Sequence, residues 1–302
     1  MKKYKGRNAF GFLLALCASV ALAVGLAVPV HAQIPTCGTT CTNEKIKPYR
    51  IIGNIYWIGL SDHGSLLLTS PQGHIMIDTG AEEYGHWIRQ NIEELGFKLK
   101  DIKYILGSHS HADHVVGFSA LRELTGAKLV IGEPDVDILA TGGHSDYRGS
   151  TEYFKPVKVD QGIKNGEKIQ VGPITMVAHI TPGHTRGCTT WTTTVQDNGR
   201  TLNVVIPCEM AVAGERAPLL NNAKYPQIAD DYRKSFAYAR KLPVDVFLTL
   251  RTTTHQRLDK LKRLEAGEKP NPFIDPKGLQ RFVEEYEKAY LKQLADEAAA
   301  KK

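Results

Sequence analysis

The sequence predicts an α/β protein in which two sets of short strands are each flanked by helices. Three observations predict it. Short apolar, β-rich runs are punctuated by Gly and Pro turn signals; the stretches between them carry apolar residues at spacings of three and four; and this alternation occurs in both halves of the chain. With 302 residues, 42% hydrophobic and 23% charged, the chain can bury a core, which excludes disorder and a multi-span membrane protein.

In order along the chain, Asn54–Leu60, Ser65–Thr69 and His74–Asp78 read as an antiparallel meander, with the Ser70-Pro-Gln-Gly73 turn before the last strand. Ile88, Ile92 and Leu95 then predict a helix over 82–97, stopped at Gly96. Lys103–Gly107 is a buried-type strand, followed by a His-rich loop, a helix near Gly117–Leu124 and a strand at Lys128–Ile131. That strand, loop, helix, strand order is a βαβ unit, and it puts the His-rich loop at the carboxyl end of a strand, where open α/β sheets bind ligands. In the second half, strands at Glu167–Val171, Thr175–Ile180, Thr189–Val195 and Leu202–Ile206 precede a helix over Ile228–Leu242. A strand at Asp245–Thr249, a helix near Leu258–Leu264 and an amphipathic helix from Pro276 complete the chain; the stripe of Phe282, Val283, Tyr286 and Leu294 on the last reads as core packing.

The net charge of +6 points at first to an anionic partner, but its location argues otherwise. Lys2, Lys3, Lys5 and Arg7 precede an uncharged apolar stretch from Ala9 to Val28 and then Val30-His-Ala32, an A-x-A-like cleavage site. Residues 1–32 therefore read as a signal peptide, with an uncleaved anchor as the competing reading, and 33–302 as a single exported domain in the periplasm or outside the cell. Without the leader, 34 basic residues face 32 acidic ones, and no basic, aromatic-studded patch remains to suggest nucleic acid. No membrane association is expected of the mature chain. Cys37 and Cys41, in Cys-Gly-Thr-Thr-Cys, read as a small disulfide loop or, alternatively, a two-thiolate metal clip.

The sharpest chemical signal is Ser108-His-Ser-His-Ala-Asp-His114. On an extended loop His109 and His111 project to one side and suit two positions of a tetrahedral metal, while Asp113 and His114 turn toward a second metal. Imidazole and carboxylate donors favour zinc, with iron and manganese as weaker candidates. His184, in Thr181-Pro-Gly-His-Thr185 after a strand, is the third ligand candidate; His179 lies within that strand and reads as structural.

Ile77-Asp-Thr-Gly80, the H-x-H-x-D-H loop and Pro182-Gly-His184 together resemble the metallo-β-lactamase superfamily, and more narrowly the third subclass of class B β-lactamases. Supporting stretches are Gly53–Tyr56, His184–Trp191, Tyr225–Phe236 and Asn271–Pro276, so the resemblance runs from about Tyr49 to Phe282. It implies a four-layer αβ/βα sandwich holding one or two zinc ions, His109, His111 and His184 on the first and Asp113 and His114 on the second, with Asp78 orienting a ligand loop by hydrogen bonds. Two departures stand out. Where the subclass carries its last ligand His, this chain has Arg251, which has no lone pair to offer a metal; His255, four residues on, is a further candidate. Where the subclass has a Ser, this chain has Cys208, either a replacement ligand for the second zinc, a buried hydrophobe or a disulfide partner of Cys188.

The implied chemistry is hydrolysis of a β-lactam amide, conferring antibiotic resistance. Zinc lowers the pKa of a bound water to about 7, Asp113 orients that water and accepts its proton, and Arg251, if it is not held in an ion pair, binds the substrate carboxylate. The alternatives are a thioester or lactone hydrolase of the same superfamily, or a zinc-binding homologue that lost turnover with the ligand His.

Overall fold

The computed structural model describes residues 44–80, 83–149, 153–251 and 257–300. The expected leader, the Cys37 and Cys41 pair and His255 lie outside these. The first strands are β1 (Tyr49–Ile52), β2 (Ile55–Trp57), β3 (Leu66–Leu68) and β4 (His74–Ile77), each antiparallel to its predecessor. β1 was not expected from the sequence: it is only four residues long and pairs through a bulge between Arg50 and Ile52.

Helix α1 (Glu83–Glu94) leads to β5 (Ile102–Leu106), and the short α2 (Ala112–Val115) and α3 (Phe118–Thr125) lead to β6 (Lys128–Gly132). After α4 (Val136–Ala140), β7 (Gln161–Ile163) completes a seven-stranded sheet in strict sequential order, parallel from β4 onward. The second sheet has five strands. β8 (Lys168–Val171), β9 (Ile174–Ile180), β10 (Thr189–Asp197) and β11 (Arg200–Ile206) are antiparallel neighbours, and β12 (Val246–Phe247) joins β11 in parallel after α5 (Ile228–Ala239). α6 (Arg257–Glu265) and α7 (Gly278–Ala299) follow. β12 spans only two of the five residues expected, because the chain then leaves the ladder and Leu250 accepts a hydrogen bond from Gly64 N at 2.7 Å.

The alternation of strand residues builds the layers. Leu66 and Leu68 of β3, and Ile75 and Ile77 of β4, join Met176, Trp191, Val204 and Ile206 of the second sheet in one buried cluster between the sheets. The intervening Leu67 and Met76 point the other way and pack with Ile88 and Ile92 of α1 and Phe118 and Leu121 of α3. On the far face of the second sheet, Val205 and Phe247 meet Tyr232 and Phe236 of α5 and Phe282, Val283 and Tyr286 of α7, so the expected apolar stripe of the last helix is core packing. Helix, sheet, sheet, helix is the expected αβ/βα sandwich, with period-two burial in the strands supplying both interfaces. No described helix is long and apolar enough to cross a membrane.

Candidate metal centre

The carboxyl ends of β4, β5, β9 and β11 share one edge of the sandwich, and the chemistry-bearing loops leave from them. Asp78 ends β4 at a φ of 53°, a left-handed conformation in which its carboxylate turns back under the His-rich loop. It accepts hydrogen bonds from Ser108 N at 2.7 Å, Ser108 Oγ at 2.6 Å and His114 Nδ1 at 2.6 Å. His111 begins α2, its carbonyl accepting from His114 N at 2.9 Å, so Asp113 and His114 lie on a helical turn rather than the extended loop expected, and the His114 ring packs 4.2 Å from that of His109 instead of turning away from it.

His184 follows β9. Gly183 before it has a φ of 141°, and a Cβ there would lie 2.7 Å from the Tyr232 ring, so this position requires glycine. His184 Nδ1 donates to the Ala211 carbonyl at 2.7 Å, which leaves the Nε2 lone pair for another partner. The two ligand loops are joined by Asp135, a residue the sequence reading did not single out. Its Oδ1 accepts from Gly187 N at 2.6 Å, and its Oδ2 from Thr185 Oγ1 at 2.7 Å and Ser110 N at 3.1 Å.

One ring nitrogen each from His109, His111 and His184 lie within 4.8 Å of one another, with His111 Nδ1 3.0 Å from His184 Nε2. Donors about 2 Å from a tetrahedral zinc stand about 3.3 Å apart, so this spacing suits the ion. Burial pushes the pKa of His109 and His184 well below the ordinary histidine value, reinforced by neighbouring imidazoles, and that of His111 to about 4. All three are therefore neutral at pH 7, as metal ligands must be. His109 Nε2 is buried without a hydrogen-bond partner among the described residues, which an ion at this point would remedy. The residues present fit a zinc ion. Asp146, also not foreseen, sets its Oδ2 3.2 Å from His111 Nε2.

The second expected position is different. Arg251 Nη2 pairs with Asp113 Oδ2, Nη1 lies 2.7 Å from His63 Nε2, and Nε is 3.6 Å from Glu209 Oε2. Burial raises the Asp113 pKa, but His114, Arg251 and His63 together hold it well below the usual carboxylate range. Arg251 was expected to meet a substrate carboxylate only if it were free of an ion pair, and its pairing with Asp113 means that condition is not met. The reading of Cys208 as a ligand is corrected: the residue forms a disulfide with Cys188, so its sulfur is not a thiolate available to a second zinc. His114 Nε2 has no hydrogen-bond partner among the described residues and lies 3.8 Å from Asp113 Oδ2. His179 is satisfied in the sheet, Nδ1 by Tyr238 Oη at 2.7 Å and Nε2 by Thr192 Oγ1 at 2.8 Å.

His63, Asp135 and Asp146 escaped sequence reasoning, whereas Glu209 stands out in the sequence as the one acidic residue of the 206–210 stretch. Of the three that escaped, Asp135 alone had a usable signal, its place just beyond a strand of the βαβ unit. The others reach the site across contacts that no local spacing encodes.

A family model of the metallo-β-lactamase superfamily matches residues 59–249. Among solved structures, the chain is similar to native FEZ-1 metallo-β-lactamase from Legionella gormanii, with a TM-score of 0.82 and 34% identity, covering 85% of this chain and 98% of that one. It is similar to BJP-1, a subclass B3 metallo-β-lactamase of Bradyrhizobium japonicum, with a TM-score of 0.79 and 36% identity over 85% and 97% of the two chains. Among curated proteins it resembles the mitochondrial persulfide dioxygenase ETHE1 of Bos taurus, 31% identical over 103 residues, 34% of this chain and 32% of that protein. The chain thus spans about a third of the curated relatives it matches. With the αβ/βα layers, the converging histidines and a family match across both sheets, the chain belongs to the metallo-β-lactamase superfamily, with subclass B3 enzymes among its structural neighbours.

Proposed function

We propose that the protein is an exported zinc hydrolase that opens the amide of β-lactam antibiotics. The observation that carries this reading is the convergence of His109, His111 and His184 at one edge of the sandwich, within a chain 34–36% identical to B3 metallo-β-lactamases over most of its length. Zinc in such a site supplies Lewis acidity and a nucleophile at neutral pH. The chain supplies the rest. Asp135 holds the two ligand loops at a fixed separation, the Ala211 carbonyl fixes the His184 tautomer, and Asp146 sets a buried carboxylate beside His111 Nε2. The Arg251 guanidinium, held against Asp113, presents a fixed positive charge beside the site, where the negative charge of an opening amide develops. The basic and apolar pattern of residues 1–32 supports export to the periplasm.

The test is turnover of nitrocefin and of a carbapenem by the purified protein, with loss on EDTA treatment and recovery on adding zinc. Absence of turnover in the zinc-loaded protein overturns the reading. The partial likeness to a persulfide dioxygenase supports a second reading, which oxygen uptake with a persulfide and added iron would reveal.

A further inference from the structure

We propose that Arg251 is a resident second cation: its guanidinium fills the place beside Asp113 and His114 and limits the protein to one metal ion. The proposal rests on the zinc reading above and deepens it. Its first support is contact. Nη2, Nη1 and Nε face Asp113, His63 and Glu209 respectively, so the guanidinium takes the Asp113 carboxylate, an expected donor to a second ion, as its own partner. Asp113 Oδ2, the oxygen nearest His114 Nε2, is shared between Arg251 and His63, the latter at 3.4 Å. A second metal would have to displace the guanidinium to reach that oxygen.

The donor set is the second support. Among the described residues, the groups close enough to share an ion are His109, His111 and His184, and His109 with Cys188 and Cys208; neither contains Asp113 or His114. The two sulfurs of the latter set are bonded to each other. One carboxylate already paired and one imidazole make a poor zinc site, since structural and catalytic zinc ions take at least three protein ligands.

The backbone supplies the third support. His63 and Arg251 form an antiparallel bridge, and Gly64 N donates to the Leu250 carbonyl at 2.7 Å. A Cβ on Gly64 would stand 2.8 Å from Leu250 Cα, so the hairpin before β3 and the segment after β12 touch backbone to backbone. Arg251 is therefore anchored at its main chain as well as at its head group. The positive charge a second zinc would bring is supplied by the fold, and activity should not depend on filling a second site.

The experiment counts metal rather than turnover. The purified protein is dialysed against excess zinc, desalted and assayed by mass spectrometry of the metal, with circular dichroism to establish folding. The expected counts are one zinc per chain for the wild type, one for Arg251→Lys, which keeps the cation, and two for Arg251→His, which adds a donor and removes it. A wild-type count of two overturns the proposal and leaves the three-histidine reading standing. A count of one in folded Arg251→His also overturns it. A wild-type count of zero overturns the zinc reading and this proposal together. Should Arg251→His fail to fold, calorimetric titration of metal-free wild type decides: a single-site isotherm supports the proposal and a two-site isotherm overturns it.

Discussion

Asp146 Oδ2 stands 3.2 Å from Nε2 of His111, while Nδ1 of the same ring lies 3.0 Å from His184 Nε2. One nitrogen of the imidazole thus faces the other ligands and the other faces a buried carboxylate. The carboxylate orients the ring and raises its basicity as a ligand. Burial raises the Asp146 pKa, but His111 and Arg148 outweigh it and bring the value down to about 2, so the charge is present throughout the working range. Asp146→Asn is expected to weaken zinc binding about 10- to 100-fold. Competition against a chromophoric chelator measures this, and an unchanged dissociation constant would remove Asp146 from the site.

Asp135 joins the loop after β5 to the loop after β9. Replacing it with Ala leaves Ser110 N, Gly187 N and Thr185 Oγ1 without their acceptor in a buried setting. At about 1–3 kcal/mol for each orphaned group, partly offset by relaxation, Asp135→Ala should cost about 3–5 kcal/mol. Urea unfolding of the metal-free protein checks this. Asp135→Asn, which keeps one acceptor oxygen, should lose less.

The Cys188–Cys208 bond encloses a loop with a sequence separation of 20. The chain-entropy account gives such a cross-link about 3 kcal/mol, so Cys208→Ser is expected to lower stability by that order while leaving the zinc count unchanged. A zinc count that falls with Cys208→Ser would restore the sulfur to the metal centre.

The metal-free protein should be sensitive to acid in a defined window. The His111 pKa is about 4 in the folded chain because of burial and about 6.5 when unfolded, so between these values the unfolded state binds more protons. Stability is full above pH 6.5 and declines as pH falls toward 4, by up to about 3 kcal/mol from His111 alone. His109 and His184 act in the same direction, whereas Asp146 is ionised in both states down to about pH 5 and adds to the loss only below that. Urea midpoints at several pH values after EDTA treatment check this, and a flat profile from 6.5 to 4.5 would contradict it.

What could be read from the sequence and what could not divides along range. The strands and most helices declare themselves by local alternation, and His109 and His111 by a two-residue spacing. His184 was legible because a Pro-Gly pair sets it off after a strand. Asp146 gives no such signal, since it meets His111 through a fold 35 positions removed. Cys208 was ambiguous for the same reason: a sulfur's partner is decided by β10 and β11 lying side by side, not by its neighbours in the chain. β1, β7 and α4 escaped because each is five residues or fewer, too short to display a period.

His109 and His111 leave a strand of the seven-stranded sheet and His184 leaves a strand of the five-stranded one, with Asp135 spanning the gap. An ion bound by all three is a clasp that exists only while the two sheets remain stacked, and the unfolded chain cannot reproduce it. Metal concentration then becomes a term in the folding equilibrium. Above the dissociation constant, each tenfold rise in free zinc adds about 1.4 kcal/mol to the stability of the sandwich. In zinc-poor surroundings the same molecule has only its packing, its disulfide and Asp135 to hold the layers together.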